Sequence, residues 1–252
     1  MHLPLPSSRA YGPWVAGTGP AGNVAGVSQD APPGGPLVIV GAGGHGRETL
    51  DVVEALQADG VDWEVLGFLD DADLDGERLA RLERRGTTVI GPVDRIGELD
   101  ARFVVAVGDA AVREKLARLA KQAGAVPAPA LVHPTVVVGG DVEIGEGTVV
   151  AAGSHLTTNV RVGRHVQVNV GSIVSHDTVI ADYATLSPGV LINGDVEVGR
   201  SAFLGTGAVV VRGHTVGAGA IVGAGAVVVR DVEPAVTVAG VPARPTVPRW
   251  RR

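Results

Sequence analysis

From residue 132 onward, hydrophobic positions recur every six residues along the chain. The residue two positions before each of them is small or short-branched in every case but one, where it is His214. A six-residue period is typical of a solenoid with three sides and eighteen residues to a coil. The pattern therefore predicts a parallel β-helix over 132–235, followed by a tail over 236–252. Its sixteen inward-facing residues are Val138, Ile144, Val150, Leu156, Val162, Val168, Val174, Ile180, Leu186, Ile192, Val198, Leu204, Val210, Val216, Val222 and Val228.

Residues 37–131 instead alternate short apolar runs with amphipathic segments. The apolar runs predict strands and the amphipathic segments predict helices. The strands are expected at 37–40, 64–69 and 103–107, and the helices at 47–58 and 110–123. Strands that alternate with helices indicate a parallel sheet, here in a Rossmann-like domain of half the usual dinucleotide-binding size.

The composition removes several classes of function. The chain has 252 residues, a net charge of −6 and no cysteine. Without a concentrated basic surface we expect no nucleic-acid binding, and without cysteine there are no disulfides or thiolate zinc sites. We expect no membrane span, because no apolar run reaches roughly 18 residues. Residues 1–36, rich in Pro and Gly, lack the order of a secretory signal and are interpreted as a flexible extension.

A glycine-rich segment, Gly41-x-Gly43-x-x-Gly46, follows the first predicted strand and opens the first predicted helix. Backbone N–H groups at such a helix N-terminus can hold a phosphate. Asp70 ends the next predicted strand, where an acid can bind a ribose hydroxyl. Taken alone, the segment indicates either NAD binding or a purely structural turn. The half-sized domain argues against a complete dinucleotide site.

One histidine, His176, stands beside an acid, Asp177, on the expected surface of the β-helix. Imidazole titrates near neutral pH and can act as a general base, and a carboxylate can orient it. Outside the glycine segment, the other histidines are interpreted as surface or packing residues. They are His133, His155, His165 and His214, while His2 lies in the N-terminal extension.

The hexads and a set of ordered short motifs together resemble one family. The motifs are Val40-Gly41-Ala42-Gly43-Gly44-His45-Gly46, Phe68-Leu69-Asp70-Asp71, Ala106-Val107-Gly108-Asp109, Ser175-His176-Asp177, Ser187-Pro188-Gly189 and Gly240-Val241-Pro242-Ala243. Over about residues 37–245 the sequence resembles the bacterial sugar acyltransferases, which include sialic acid O-acetyltransferases and nucleotide-4-amino-sugar N-acetyltransferases. The resemblance implies a left-handed β-helix.

The resemblance also implies a role for individual residues. A nucleotide-sugar pocket would be formed by Gly43, Gly44, His45, Asp70, Asp71 and Gly108. His176 would be the general base, Asp177 would orient it, and the Gly194 N–H would bind the oxyanion. Asn169 would lie near the active centre, while Thr206 and Ala224 would line the coenzyme A groove. Many relatives carry a second histidine where this chain has Thr185, which leaves His176 as the sole base.

The implied function is acetyl-CoA-dependent N-acetylation of a nucleotide-linked amino-deoxy sugar. The implied enzyme is a cytoplasmic homotrimer that binds acetyl-CoA between neighbouring β-helices and needs no metal. One alternative keeps the fold and acetylates a hydroxyl of sialic acid or another glycan sugar. Two others are a non-catalytic nucleotide-binding scaffold and a zinc carbonic anhydrase, although the histidine spacings do not stack three ligands on one corner.

Overall fold

The computed structural model describes residues 34–246. Predictions for residues 1–33 and 247–252, including His2 and most of the expected extension, lie outside the described residues. The first part of the fold is a five-stranded parallel sheet with its helices. Its strands are β1 (Gly35–Val40), β2 (Trp63–Leu69), β3 (Val89–Gly91), β4 (Arg102–Val105) and β5 (Val126–Pro127), and its helices are α1 (Gly44–Ala58), α2 (Gly76–Glu83) and α3 (Ala110–Gln122), with a 3₁₀ turn at Val93–Glu98.

Strand β1 is the centre of this sheet, whose order is β3-β2-β1-β4-β5. Its two faces pack into two different clusters, which explains why the strand is apolar at consecutive positions. Leu37 and Ile39 pack in the same cluster as Leu50 of α1. Val38 and Val40 pack with Ala117 of α3 and its surroundings on the opposite face. The observed sheet confirms the predicted Rossmann-like parallel domain.

Helix α1 begins at Gly44, three residues before the predicted start at Arg47. The Arg47 N–H already donates to the Gly43 carbonyl, at 3.2 Å, so the glycines form the first turn rather than a loop. Gly46 is needed there because a Cβ at this position would lie 1.9 Å from the Gly41 carbonyl oxygen. No helix among residues 34–246 is long and apolar enough to cross a bilayer.

The second part of the fold is a stack of short strands that follow one another every six residues. They are β6 (Leu131–Val132), β7 (Val137–Val138), β8 (Glu143–Ile144), β9 (Val149–Val150), β10 (His155–Leu156), β11 (Arg161–Val162), β12 (Gln167–Val168), β13 (Ile173–Val174), β14 (Val179–Ile180), β15 (Thr185–Leu186), β16 (Leu191–Ile192), β17 (Glu197–Val198), β18 (Phe203–Leu204), β19 (Val209–Val210), β20 (Thr215–Val216), β21 (Ile221–Val222), β22 (Val227–Val228), β23 (Thr237–Ala239) and β24 (Arg244–Pro245).

Every third strand pairs in parallel, so the coil repeats after eighteen residues, as Leu156 opposite Val174 shows. Sheet I contains β7, β10, β13, β16, β19 and β22, and sheet II contains β8, β11, β14, β17 and β20. Sheet III runs from β6 through β9, β12, β15, β18 and β21 to β23 and β24. All the predicted inward residues are buried except Val138, which lies near the beginning of the β-helix and is half-buried. The parallel β-helix is therefore confirmed.

The corners of the prism form three edges, named here I–II, II–III and III–I after the sheets that they join. On the III–I edge, glycines such as Gly171 and Gly189 take the left-handed backbone conformation that a sharp corner needs. On the I–II edge the equivalent positions are Asn159 (φ 57°), Asp177 (φ 58°) and Asp195 (φ 56°), eighteen residues apart. Short polar side chains tolerate this conformation better than other non-glycine residues.

The two parts of the fold share a hydrophobic core. Leu131 and Val149, on the outer face of sheet III, belong to the same buried cluster as Leu37 and Trp63. Helix α1 packs directly on β6 and β9. At the other end, β23 continues the pairing of sheet III beyond residue 235, and β24 closes it with an antiparallel pair. The domain limits expected at 131 and 235 stay a prediction.

Candidate active site

A cavity of about 530 Å³ lies at the carboxyl ends of β1, β2 and β4. The strand order reverses around β1 at this point, which is where open α/β sheets bind ligands. The cavity is also lined by Val112 and Lys115 of α3, which the sequence patterns did not single out. The structure therefore gathers all six residues of the predicted substrate pocket around one cavity. These are Gly43, Gly44, His45, Asp70, Asp71 and Gly108.

The two aspartates hold the loops around this cavity. Asp70 accepts hydrogen bonds from the backbone N–H of Ala42 through Oδ2, at 2.7 Å, and of Ala72 through Oδ1, at 2.8 Å. Asp71 Oδ1 accepts one from the Val93 N–H, also at 2.8 Å. Hydrogen bonds to a charged carboxylate contribute about 1.5–3 kcal/mol each. Both side chains thus shape the cavity wall, a role that the sequence did not predict.

His45 presents a buried polar atom without a partner. Its Nδ1 lies 3.4 Å from Glu48 Oε2, whereas its Nε2 has no hydrogen-bond partner among residues 34–246. Burial lowers the pKa of His45 by more than the neighbouring carboxylate raises it. The imidazole is therefore neutral near pH 7, and a ligand in the cavity could satisfy its second nitrogen.

His176 and Asp177 meet on the I–II edge of the β-helix. Asp177 Oδ2 lies 2.7 Å from His176 Nδ1, and Asp177 Oδ1 accepts a hydrogen bond from Asn159 Nδ2 at 3.0 Å. Adjacent side chains diverge on a regular strand, but the left-handed backbone of Asp177 turns the two together. The bond from Asn159, followed by that from His176, lowers the pKa of Asp177. The carboxylate is therefore ionised at neutral pH beside an imidazole that is 42% exposed.

Gly194 lies against the His176 ring, one coil further along the same edge. A Cβ on Gly194 would lie 2.3 Å from His176 Cε1, so the ring needs a glycine there. The sequence missed Asp195, whose eighteen-residue spacing from Asp177 was the available signal. His176, Asp177 and Asp195 could each offer a ligand atom within 4.8 Å of the others. Asp195, however, already accepts a hydrogen bond from Arg212 Nε at 2.7 Å.

The other residues predicted to bind the coenzyme lie on a different edge. Asn169, Thr206 and Ala224 follow strands of sheet III and therefore belong to the III–I edge. Thr206 and Ala224 are exposed and stand one coil apart, while Asn169 Nδ2 donates to the Leu186 carbonyl at 2.8 Å. Within one chain, the structure brings Gly194 to His176 but does not bring these three residues there.

A buried arginine that the sequence did not single out joins the two parts of the fold. Arg113 of α3 is 0% exposed. Its guanidinium donates to backbone carbonyls of the cavity wall and of the β-helix, and to one hydroxyl. The acceptors are the carbonyls of Val107, Gly108, His165, Tyr183 and Ala184 and Oγ1 of Thr185. Thr185 is consequently buried against Arg113 at the domain junction.

The remaining described histidines do not gather around one point of the chain. His155 is exposed on sheet I, and His214 Nδ1 lies 3.3 Å from Asp231 Oδ1 with 27% of its side chain exposed, so it does not point inward. His165 is 1% exposed and stacks between Phe103 and Tyr183, with ring centroids 6.2 and 5.3 Å away. Burial lowers its pKa to about 4.

The sheet domain with its loop cavity, joined to a hexapeptide-repeat β-helix, defines a class of acyltransferases. Residues 36–119 match the family of the PglD N-terminal domain. The acetyltransferase domain of PglB from Neisseria gonorrhoeae FA1090, in complex with acetyl coenzyme A, is 33% identical, with a TM-score of 0.74, over 84% of this chain and 98% of that one. PerB from Caulobacter crescentus, in complex with CoA and GDP-perosamine, is 34% identical, with a TM-score of 0.75, over 84% of this chain and 97% of that one.

The chain belongs to this family of bacterial hexapeptide-repeat sugar acetyltransferases. A curated relative, the UDP-N-acetylbacillosamine N-acetyltransferase of Bacillus subtilis (strain 168), is 37% identical over 122 residues. That match covers 46% of this chain, and the chain spans about half of the length of the relative, 51%. Membership of this family also means that the β-helix is left-handed.

Proposed function

We propose that this protein transfers the acetyl group of acetyl-CoA to the amino group of a nucleotide-linked amino-deoxy sugar. The observation that carries the proposal is the His176–Asp177 pair, with Nδ1 of the imidazole 2.7 Å from the carboxylate. With the Nδ1 proton directed at Asp177, Nε2 is left as the acceptor for a substrate proton. A neutral imidazole in this tautomer is the base that an attacking amine needs.

The proposed reaction is a direct transfer without an acyl-enzyme. The amine nitrogen attacks the thioester carbonyl, so that a C–N bond forms and the C–S bond breaks. His176 Nε2 accepts the proton of the amine, Asp177 stabilises the imidazolium, and the proton passes to the departing thiolate. The Gly194 N–H is the proposed oxyanion donor, since no carbonyl within residues 34–246 accepts a backbone hydrogen bond from it.

The cavity of the sheet domain is the proposed site for the nucleotide. The N–H groups at the start of α1 suit a phosphate, and Lys115 supplies a cation at the wall. Asp70 and Asp71 keep acceptor capacity beyond their backbone hydrogen bonds, which suits the N–H and O–H donors of a base and ribose. The relative PerB was solved with GDP-perosamine, and this supports a nucleotide sugar as the ligand here.

The coenzyme site is proposed to form between subunits of a homotrimer. Thr206 and Ala224 lie on the III–I edge, so they would line the groove together with His176 of a neighbouring copy. The outer face of sheet I between these edges is apolar where Val137, Ile173 and Leu191 are 38–55% exposed. An apolar flat face of this kind suits packing against a second β-helix. With acetyl-CoA and a nucleotide sugar as substrates, the reaction would take place in the cytoplasm.

A substrate panel tests the proposed function. Purified protein is supplied with acetyl-CoA and either nucleotide-linked amino sugars or sialic acid, and release of free CoA thiol is followed. We expect at least one amino-sugar nucleotide to be acetylated on nitrogen, as identified by mass spectrometry. A preference for the sialic acid hydroxyl would overturn the proposal in favour of O-acetylation. Nucleotide binding without transfer to any acceptor would indicate a scaffold.

A further inference from the structure

The coil that carries His176 is clamped at both ends by one side chain from the sheet domain. Arg113 Nε donates to the His165 carbonyl at 2.9 Å, and its Nη2 donates to the Tyr183 carbonyl. These two carbonyls are eighteen residues apart on the II–III edge, so they mark the beginning and the end of one coil. His176 lies on the I–II edge of that coil. Arg113 therefore contacts the coil of the proposed base without touching the base.

The same guanidinium also holds the wall of the cavity. Arg113 Nη1 donates to the Val107 carbonyl at 2.7 Å and to the Gly108 carbonyl at 3.1 Å. Both residues line the cavity. Gln167 Nε2, from the β-helix, donates to the Val107 carbonyl as well, at 3.1 Å. The loop that bounds the cavity is thus fixed to the β-helix by side chains rather than by strand pairing.

We infer that Arg113 is a positioning residue, which sets the distance between the nucleotide cavity and the coil that carries His176. This inference rests on the proposed function, in which a substrate held in the cavity must reach His176. A planar guanidinium can serve acceptors on two sides at once because its five N–H groups diverge in one plane. A lysine ammonium has three donors on one atom and reaches only part of this set.

The surroundings of Arg113 favour such a role over simple charge pairing. No carboxylate of residues 34–246 forms an ion pair with the guanidinium, and its charge rests among carbonyl dipoles. Burial lowers its pKa to about 10, although the nearby Asp109 opposes this effect. A buried cation with these partners is costly and tolerates little displacement. The cavity wall and the coil consequently keep one relative placement.

Two variants and a matched control test the inference. Arg113→Lys keeps the charge, and Arg113→Met keeps the approximate length without donors. The control is Lys121→Met, which removes the ion pair between Lys121 of the same helix and Glu146 of the β-helix. Lys121 does not line the cavity. The Lys121→Met variant therefore loosens the same junction without releasing Val107 or Gly108. All variants are assayed well below their melting temperatures.

We expect kcat for the amino-sugar nucleotide to fall about tenfold in Arg113→Lys and about a hundredfold in Arg113→Met, because misplacement by an ångström costs rates of that order. The Kd of acetyl-CoA should change less than about twofold, and Lys121→Met should keep kcat within about twofold. A lower melting temperature with unchanged kcat in both Arg113 variants would show a purely structural role and overturn the inference.

Hydrogen exchange distinguishes failure of the inference from failure of the proposed function. In Arg113→Lys we expect faster amide exchange in peptides covering 105–109 and 181–186 together, with no change in Lys121→Met. This readout needs no substrate. If the wild-type protein acetylates no amino-sugar nucleotide, the proposed function fails, while joint loss of protection still supports the coupling. Unchanged exchange in either segment would overturn the coupling whatever the activity.

Discussion

The cavity of the sheet domain and the I–II edge of the β-helix carry the candidate chemistry in two different ways. The cavity is lined by residues of one chain, and its aspartates are already fixed by backbone N–H groups at 2.7–2.8 Å. His176 stands on an open edge and is 42% exposed, while Thr206 and Ala224 lie on another edge. Under the proposed function, this difference makes recognition of the acceptor a property of the subunit, whereas acetyl transfer would require an assembly.

Among the changes that separate the two regions, removal of the proposed base, His176, should have the largest effect on kcat. Loss of a general base costs about 10²–10⁴ in rate, so His176→Ala should lower kcat by that factor. Binding of nucleotide in the cavity should remain unchanged in calorimetry. His214→Ala is the matched control, because His214 forms the same kind of contact with Asp231 on the same edge. Equal losses in both variants would remove the distinction drawn for His176.

Crowding of the His176 ring should come next in size. In Gly194→Ala the new Cβ would lie 2.3 Å from His176 Cε1, so the ring must move. We expect kcat to fall about 10²–10³-fold, since both the base and the oxyanion donor shift. Gly140→Ala serves as the control because its Cβ meets nothing within 4 Å. Full activity of Gly194→Ala, measured by CoA release, would mean that the His176 ring can act as the base from a displaced position, and would contradict this prediction.

The joint between the two regions should respond to pH through His165. Its pKa is about 4 when folded and about 6.5 when unfolded, so the unfolded chain binds the proton more readily. The neutral ring therefore contributes about 3 kcal/mol to the free energy of unfolding above about pH 6.5. This contribution is lost as the pH falls towards 4. Denaturant titrations from pH 7 to pH 4 measure it. His165→Asn, suited to the φ of 52°, should remove this component. An identical pH profile in the variant would contradict the assignment.

Loosening of the cavity wall should have the smallest effect and should be confined to the acceptor. Asp70→Asn replaces a charged acceptor of the Ala42 and Ala72 N–H groups by an amide with one acceptor oxygen. We expect nucleotide Kd to rise about tenfold, equivalent to about 1.4 kcal/mol. Acetyl-CoA Kd should stay within about twofold of wild type. A matching loss of acetyl-CoA affinity would show that the two regions are not separable.

The sequence predicted those features that depend on local pattern. The hexad of Leu156 and its equivalents determined the coils, and the His176-Asp177 dipeptide marked the edge with the candidate base. Features that depend on long-range packing escaped it. Arg113 resembles any charged residue of an amphipathic helix in the sequence, and its burial follows from carbonyls 52 to 71 residues away. The sequence likewise could not show that His165 stacks on Phe103.

The left-handed corner at Asp177 determines where else along the β-helix a His–Asp pair could be placed. At this backbone conformation the side chains of His176 and Asp177 converge, and the I–II edge offers it once per coil, at Asp141, Asn159, Asp177 and Asp195. Coils are about 4.8 Å apart. A His–Asp pair transplanted by eighteen residues would therefore keep its internal geometry and travel about 4.8 Å along the prism. The distance between such a pair and the proposed sugar acceptor would thus change in fixed steps of one coil.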